Sequence, residues 1–146
     1  MAHALVRAAP LATIRRGVEL GHYDLLAYVV MPNHVHMLVL PKISPSKFMK
    51  SLKGFTAREA NLVLNRTGEP FWQAESYDHW VRNSDEGERI RGYIESNPVK
   101  AGLAAKPKQY PWSSASAETS LGAARTSACA TFLQKYYFML VKDLCS

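Results

Sequence analysis

Apolar residues dominate the chain from Leu25 to Leu40, interrupted by Pro32–Asn33 and by His34 and His36. Asp24 to Met31 reads as a buried strand rich in Leu, Tyr and Val. Pro32–Asn33 is a turn signal, and His34 to Leu40 reads as the return strand, ended by Pro41. The two strands are expected to pair antiparallel. Strand periodicity puts His34 and His36 on one face and Val35 on the other. Helical spacing appears on either side of this hairpin. Pro10 is expected in the first turn of a helix running to about Glu19, with Gly21 beyond its end. Ser44 is a candidate N-cap with Pro45 at the first helical position, and the helix extends to about Asn65. Its Phe48, Leu52, Phe55 and Leu62 follow helical spacing, and Gly54 marks a candidate break.

Phe71–Trp72 and Tyr77 to Arg82 are short, aromatic-rich strand candidates. Asn83–Ser84 caps a further helix carrying Ile90, Tyr93 and Ile94, with Asp85, Glu86 and Glu88 at its N-terminal dipole. Pro98 predicts a break or kink at Asn97. Lys106 to Pro111 reads as loop, and Ser113 to Ser127 as a small, polar connection. The bulky Tyr136, Tyr137, Phe138 and Leu140 predict a last helix over 131–144.

At 146 residues the chain is one domain with one core. A net charge of +6 and a pI near 9.4 favour a polyanionic partner, nucleic acid before membrane. Cys129 and Cys145 have no metal-motif spacing and make no disulfide framework, which fits a reducing cytosol. No apolar run approaches the roughly 20 residues needed to span a bilayer. Arg7, Arg15 and Arg16 interrupt any signal-peptide core. The histidine pair can hold a divalent metal or grip a phosphate. It can equally be one solvated edge of a strand.

Several segments then line up in order. They are Ala27-Tyr28-Val29-Val30-Met31-Pro32-Asn33-His34-Val35-His36, Phe71-Trp72-Gln73, and Tyr77-Asp78-His79 with Arg82. Tyr93-Ile94-Glu95-Ser96-Asn97-Pro98-Val99-Lys100-Ala101-Gly102-Leu103 and Tyr110-Pro111-Trp112-Ser113-Ser114 follow. Over residues 20 to 116 this series resembles the REP-associated tyrosine transposases, a branch of the IS200-like HUH single-tyrosine transposases. The resemblance implies an α+β fold: a ferredoxin-like antiparallel sheet with helices on one face, the HUH endonuclease fold. It implies a transposase domain over 1–116, with 117–146 a C-terminal extension.

The implied activity is metal-dependent endonuclease and strand transfer on single-stranded DNA beside hairpin repeats. The partner would be single-stranded or hairpin DNA, in the cytoplasm of a bacterium and associated with the nucleoid. By position, His34 and His36 become metal ligands and Tyr93 the nucleophile. A tyrosine with its usual pKa near 10 needs activation. Asn97 lies four residues after Tyr93 and shares its helix face if the helix persists. Its amide oxygen makes it a candidate third ligand for Mg²⁺ or Mn²⁺; the alternative is a helix-terminating residue. Tyr93 is otherwise an ordinary core aromatic beside Ile90 and Ile94.

Arg82, Arg89, Arg91 and Lys100 are candidate DNA-backbone contacts, with Lys53 and Arg58 on the preceding helix; a charged helix face can also be merely solvated. Tyr77, Trp72 and Trp80 either stack unpaired bases or fill the core. His79 is either structural or a DNA contact, and Trp112-Ser113-Ser114 has no assigned chemistry.

Members of the family typically begin with a strand of the form aromatic-hydrophobe-Thr-x-Arg, which pairs beside the histidine strand. This chain lacks it, so a sheet edge would be exposed. Either the start lies upstream, or another chain or the C-terminal segment fills the gap, or the copy is inactive. An exposed edge also favours a homodimer. Two other functions compete with the transferase: a non-catalytic relative that binds hairpin DNA, and a metal hydrolase in which Tyr93 is structural.

Overall fold

The computed structural model describes residues 2–74, 76–116 and 136–142. Among these, α1 (Ala2–Glu19) leads into a hairpin of β1 (Tyr23–Val30) and β2 (His34–Pro41), followed by α2 (Pro45–Leu64). Then come β3 (Tyr77–Trp80), α3 (Ser84–Lys100), a 3-10 turn at Pro107–Gln109 and β4 (Tyr137–Lys142). The four strands form one antiparallel sheet in the order β1-β2-β4-β3. This is the expected α+β architecture.

Two apolar clusters line the two faces of the sheet. Ile14 of α1 and Phe48, Met49 and Leu52 of α2 pack with Val35, Met37 and Val39 of β2. Ile94 of α3 packs with Leu38, Val29 and Phe138 on the other side. The expectation of helices on one face therefore holds for α1 and α2, while α3 lies on the opposite face. Leu38 belongs to that face, so strand alternation puts His34 and His36 there with α3.

A bulge at Leu26 lets both halves of β1 serve the same core. Leu25 pairs with Val39 and Ala27 with Leu38, so Leu26 has no partner across the ladder. The extra residue shifts the alternation. Tyr23 and Leu25 before it, and Tyr28 and Val30 after it, all join the core under α1 and α2.

The segment predicted as a helix over 131–144 is a strand where it is described. Tyr137–Lys142 pairs with β2 from Val39 to His34 and with β3 from Trp80 to Tyr77. Residues 131–135 and 143–146 lie outside the described residues. The run Tyr-Tyr-Phe-Met-Leu-Val suits a strand buried on both faces, because Tyr137 and Met139 join one core cluster and Tyr136 and Phe138 the other. Short apolar runs read equally well as helix or strand. This C-terminal strand occupies the place beside β2 that the resemblance assigns to an N-terminal strand.

Smaller departures have local causes. Pro10 sits inside α1, not in its first turn. It is buried and lines the same small space as Val35 and Trp72, so packing offsets the missing N–H bond. Gly54 does not interrupt α2, which ends instead at Asn65 in left-handed conformation. Ser44 precedes Pro45 as expected, but its hydroxyl meets Ser46 rather than capping the helix. Phe71–Trp72 forms no named strand, and the indole N–H of Trp72 donates to Thr56 Oγ1 (2.8 Å). The helix does not break at Asn97; α3 runs through Pro98 to Lys100. Its end is closed by Gly102 at φ 75°, with Gly102 N–H bonded to Val99 O and Leu103 N–H to Pro98 O. This Schellman closure, which needs a residue in left-handed conformation, stops the helix at glycine rather than at proline.

Candidate active site

The two histidines stand at the start of β2, just past the Pro32–Asn33 reversal, where the Met31 N–H donates to His34 O (2.8 Å). Their rings meet edge to face at 4.8 Å. His36 is only 2% exposed. His34 Nδ1 lies 2.6 Å from Asn33 Oδ1. With the Asn33 amide in this orientation its oxygen accepts from Nδ1–H, which leaves Nε2 as the basic nitrogen of His34.

α3 crosses the same face and presents one stripe of side chains. Residues Glu86, Arg89, Tyr93, Asn97 and Lys100 follow three- and four-residue spacing and share that stripe. Asn83 caps the helix by accepting from the Glu86 N–H (2.8 Å). The Tyr93 ring packs edge-on against His36, centroids 5.3 Å apart, yet Tyr93 remains 45% exposed. Asn97 Nδ2 lies 3.3 Å from His36 Nε2. An amide N–H only donates, so the lone pair of His36 Nε2 points toward Asn97. Both imidazoles thus carry a basic Nε2, and the Asn97 amide adjoins that of His36. An amide rotation exchanges its nitrogen for its oxygen.

Two imidazole nitrogens and, once its amide is turned, the oxygen of Asn97 are the groups here that could hold a divalent cation. Among the described residues no three His, Cys, Asp or Glu side chains gather to hold a metal. His34, His36 and Asn97 themselves bring no carboxylate.

Other candidates fall at different distances from this centre. Lys100 Nζ sits over the Tyr93 ring, 5.5 Å from its centroid. Arg89 lines a cleft of about 490 Å³ together with Tyr93 and His36. Arg91 pairs with Glu88 (2.7 Å). Arg82 offers its backbone N–H to Glu86 Oε2 (2.9 Å). Lys53 and Arg58 belong to α2, on the far face of the sheet, and Lys53 Nζ donates to the carbonyls of Gln73 and Ala74. The structure does not bring these two to the histidines.

Three groups at the site escaped the sequence reading. Glu86 looked like a helix-dipole residue, but it also accepts from His79 Nε2 at 3.1 Å. The Arg82 amide, helped by His79, holds its carboxyl below the ordinary value. Phe138 and Leu140 of β4 form part of the cleft, a role hidden when that segment is read as a helix. The Trp112-Ser113-Ser114 motif gains a structural role. Trp112 O accepts from Val30 N–H, Ser114 N–H donates to Tyr28 O, and Ser114 Oγ accepts from Tyr28 N–H. The motif covers the outer edge of β1. Ser114 Oγ also lies 3.3 Å from Glu95 of α3 and ties that helix to the sheet.

No helix among the described residues is long and apolar enough to cross a membrane. Compared with known proteins, residues 3–97 match a family model described as "Transposase IS200 like". No curated protein and no solved structure matches.

Proposed function

The chain belongs to the IS200-like transposase family, and on that premise we propose that it nicks and rejoins single-stranded DNA through Tyr93. Membership makes it a transposase by family, acting on DNA. The proposal adds the residues, the intermediate and the substrate form, and it favours the REP-associated branch, whose motif series this sequence resembles.

Tyr93 Oη attacks the phosphorus of a phosphodiester. A phosphorus–oxygen bond forms to the tyrosine and the bond to the 3′-oxygen breaks. The proton lost by the hydroxyl ends on the departing 3′-OH, and the 5′-phosphate remains on Tyr93. Attack by a 3′-OH on this ester reverses the exchange, so joining needs no ATP. The exposure of Tyr93 beside a buried His36 supports the role, because the hydroxyl has to reach a strand from solvent.

His34, His36 and Asn97 are the groups that would hold Mg²⁺ or Mn²⁺. Such an ion supplies charge stabilisation to a non-bridging phosphate oxygen. A donor set without a carboxylate suits an ion that completes its shell with water and substrate phosphate. The 2.6 Å contact of Asn33 Oδ1 with His34 Nδ1 supports the reading, because ligating imidazoles are oriented by such a partner on the other ring nitrogen. Lys100 and Arg89, on the same α3 stripe, would meet flanking phosphates.

The observation that carries this reading is the meeting of Asn97 with His36 Nε2 at 3.3 Å, with Tyr93 on the same helix face. The test is an oligonucleotide assay with single strands carrying the hairpins that flank the gene, with Mg²⁺, Mn²⁺ or EDTA. A protein–DNA adduct that needs the cation and disappears in Tyr93→Phe is the expected result. Retarded DNA with no adduct identifies a binding-only relative. A free 5′-phosphate product with no adduct identifies hydrolysis.

A further inference from the structure

We infer that the cleft beside Tyr93 is a subsite for one unpaired nucleobase next to the scissile phosphate, floored by the C-terminal strand. This rests on the nicking reading above. The cleft holds about 490 Å³, within the range of small-molecule sites. Its floor is Phe138 and Leu140 of β4, and Ile90 of α3 closes one side. Both floor residues lie outside the stretch that matches the transposase family.

The occupant follows from what shares the walls. His36 and Tyr93 line the cleft, so a strand that presents its phosphate to Tyr93 puts an adjoining nucleotide there. Tyr77 stands on the edge strand β3 and is 61% exposed. Its ring meets His79 at 5.7 Å and Phe138 at 6.2 Å, both nearly edge-on. These contacts hold the ring while leaving much of its surface open to solvent. Stacking on an aromatic ring needs a base free of its neighbours, which selects single-stranded DNA. Arg89 lies on the rim, exposed and without an ion pair among the described residues. It is placed to meet the phosphate of the stacked nucleotide. The His79–Glu86 pair is the polar wall, able to meet the edge of the base.

The test uses the full chain and single strands with one 2-aminopurine walked along the flanking sequence. Fluorescence is expected to fall on binding at one position next to the cleavage site. Tyr77→Ala should restore it and weaken binding about 5- to 150-fold, the loss typical of one stacked base. Tyr77→Phe should keep both properties. Arg89→Gln should flatten the dependence of log affinity on log salt by about 0.7, one phosphate of a single strand. The subsite is overturned if Tyr77→Ala changes neither fluorescence nor affinity. Adduct formation is scored in parallel and separates the two claims. Adduct without Tyr77-dependent quenching removes the subsite and leaves the nicking reading. Tyr77-dependent quenching without adduct removes the nicking reading and leaves a base-binding cleft.

Discussion

The ring of Phe138 lies nearly parallel to that of His36, with centroids 5.8 Å apart and planes 20° from each other. Tyr93 meets the same imidazole edge-on at 5.3 Å. One buried histidine is therefore held between α3 and a strand from the far end of the chain. Phe138→Ala removes that support and leaves a cavity. Stability should fall by about 3–5 kcal/mol. On the metal-holding role proposed for His36, adduct formation, measured at a temperature where the variant remains folded, should fall about 10- to 100-fold, the usual cost of losing a group that orients a ligand. Full adduct rates in a folded Phe138→Ala protein would show that His36 needs no such support.

Gly17 packs against Tyr23, and a Cβ there would run into the phenol ring and hydroxyl. That ring has little room to move. Its hydroxyl donates to Ile14 O (2.7 Å) and its ring meets that of Phe48 edge to face at 5.0 Å. Gly17→Ala should therefore destabilise by about 1–3 kcal/mol despite the helical gain of alanine. Gly54→Ala, where nothing lies within 4 Å, should stabilise by up to about 1 kcal/mol. Denaturant midpoints of the two variants should move in opposite directions.

Glu86 joins β3 to the start of α3 through the Arg82 amide and His79. Its carboxyl is held below its ordinary value of 4.5 in the folded chain. The stability it contributes is present in full above that value and is lost as pH falls through the depressed one. Compared with Glu86→Gln, the native chain should have the higher Tm at pH 7. The gap should close on acidification below about pH 4.5. A gap constant from pH 7 to pH 3 would show that the charge of Glu86 contributes nothing.

Ser114 is fully buried, and its hydroxyl serves the edge of β1 and Glu95 of α3 together. Ser114→Ala leaves the Tyr28 N–H without that acceptor, which costs about 1–3 kcal/mol. Hydrogen exchange at Tyr28 should accelerate more than exchange in α2, to which no hydrogen bond of the motif runs.

The hydrophobic periods alone determined much of this protein. The hairpin around Pro32–Asn33, the pairing of His34 with His36 on one face, and the stripe shared by Tyr93 and Asn97 all follow from spacings of two and four residues. Those spacings are local, and backbone sterics impose them wherever a strand or helix forms. Three features were decided only by tertiary structure. Pro98 stays helical because its environment and the Gly102 closure outweigh a local preference for breaking. Lys53 and Arg58 are carried to the far face because α2 and α3 pack on opposite sides of one sheet. Tyr137–Lys142 becomes a strand because β2 and β3 offer it two unsatisfied edges, and that backbone pairing lies in no residue of the segment itself. Whether an apolar run is helix or strand depends on what stands beside it, and here the neighbours are residues 34–41 and 77–80.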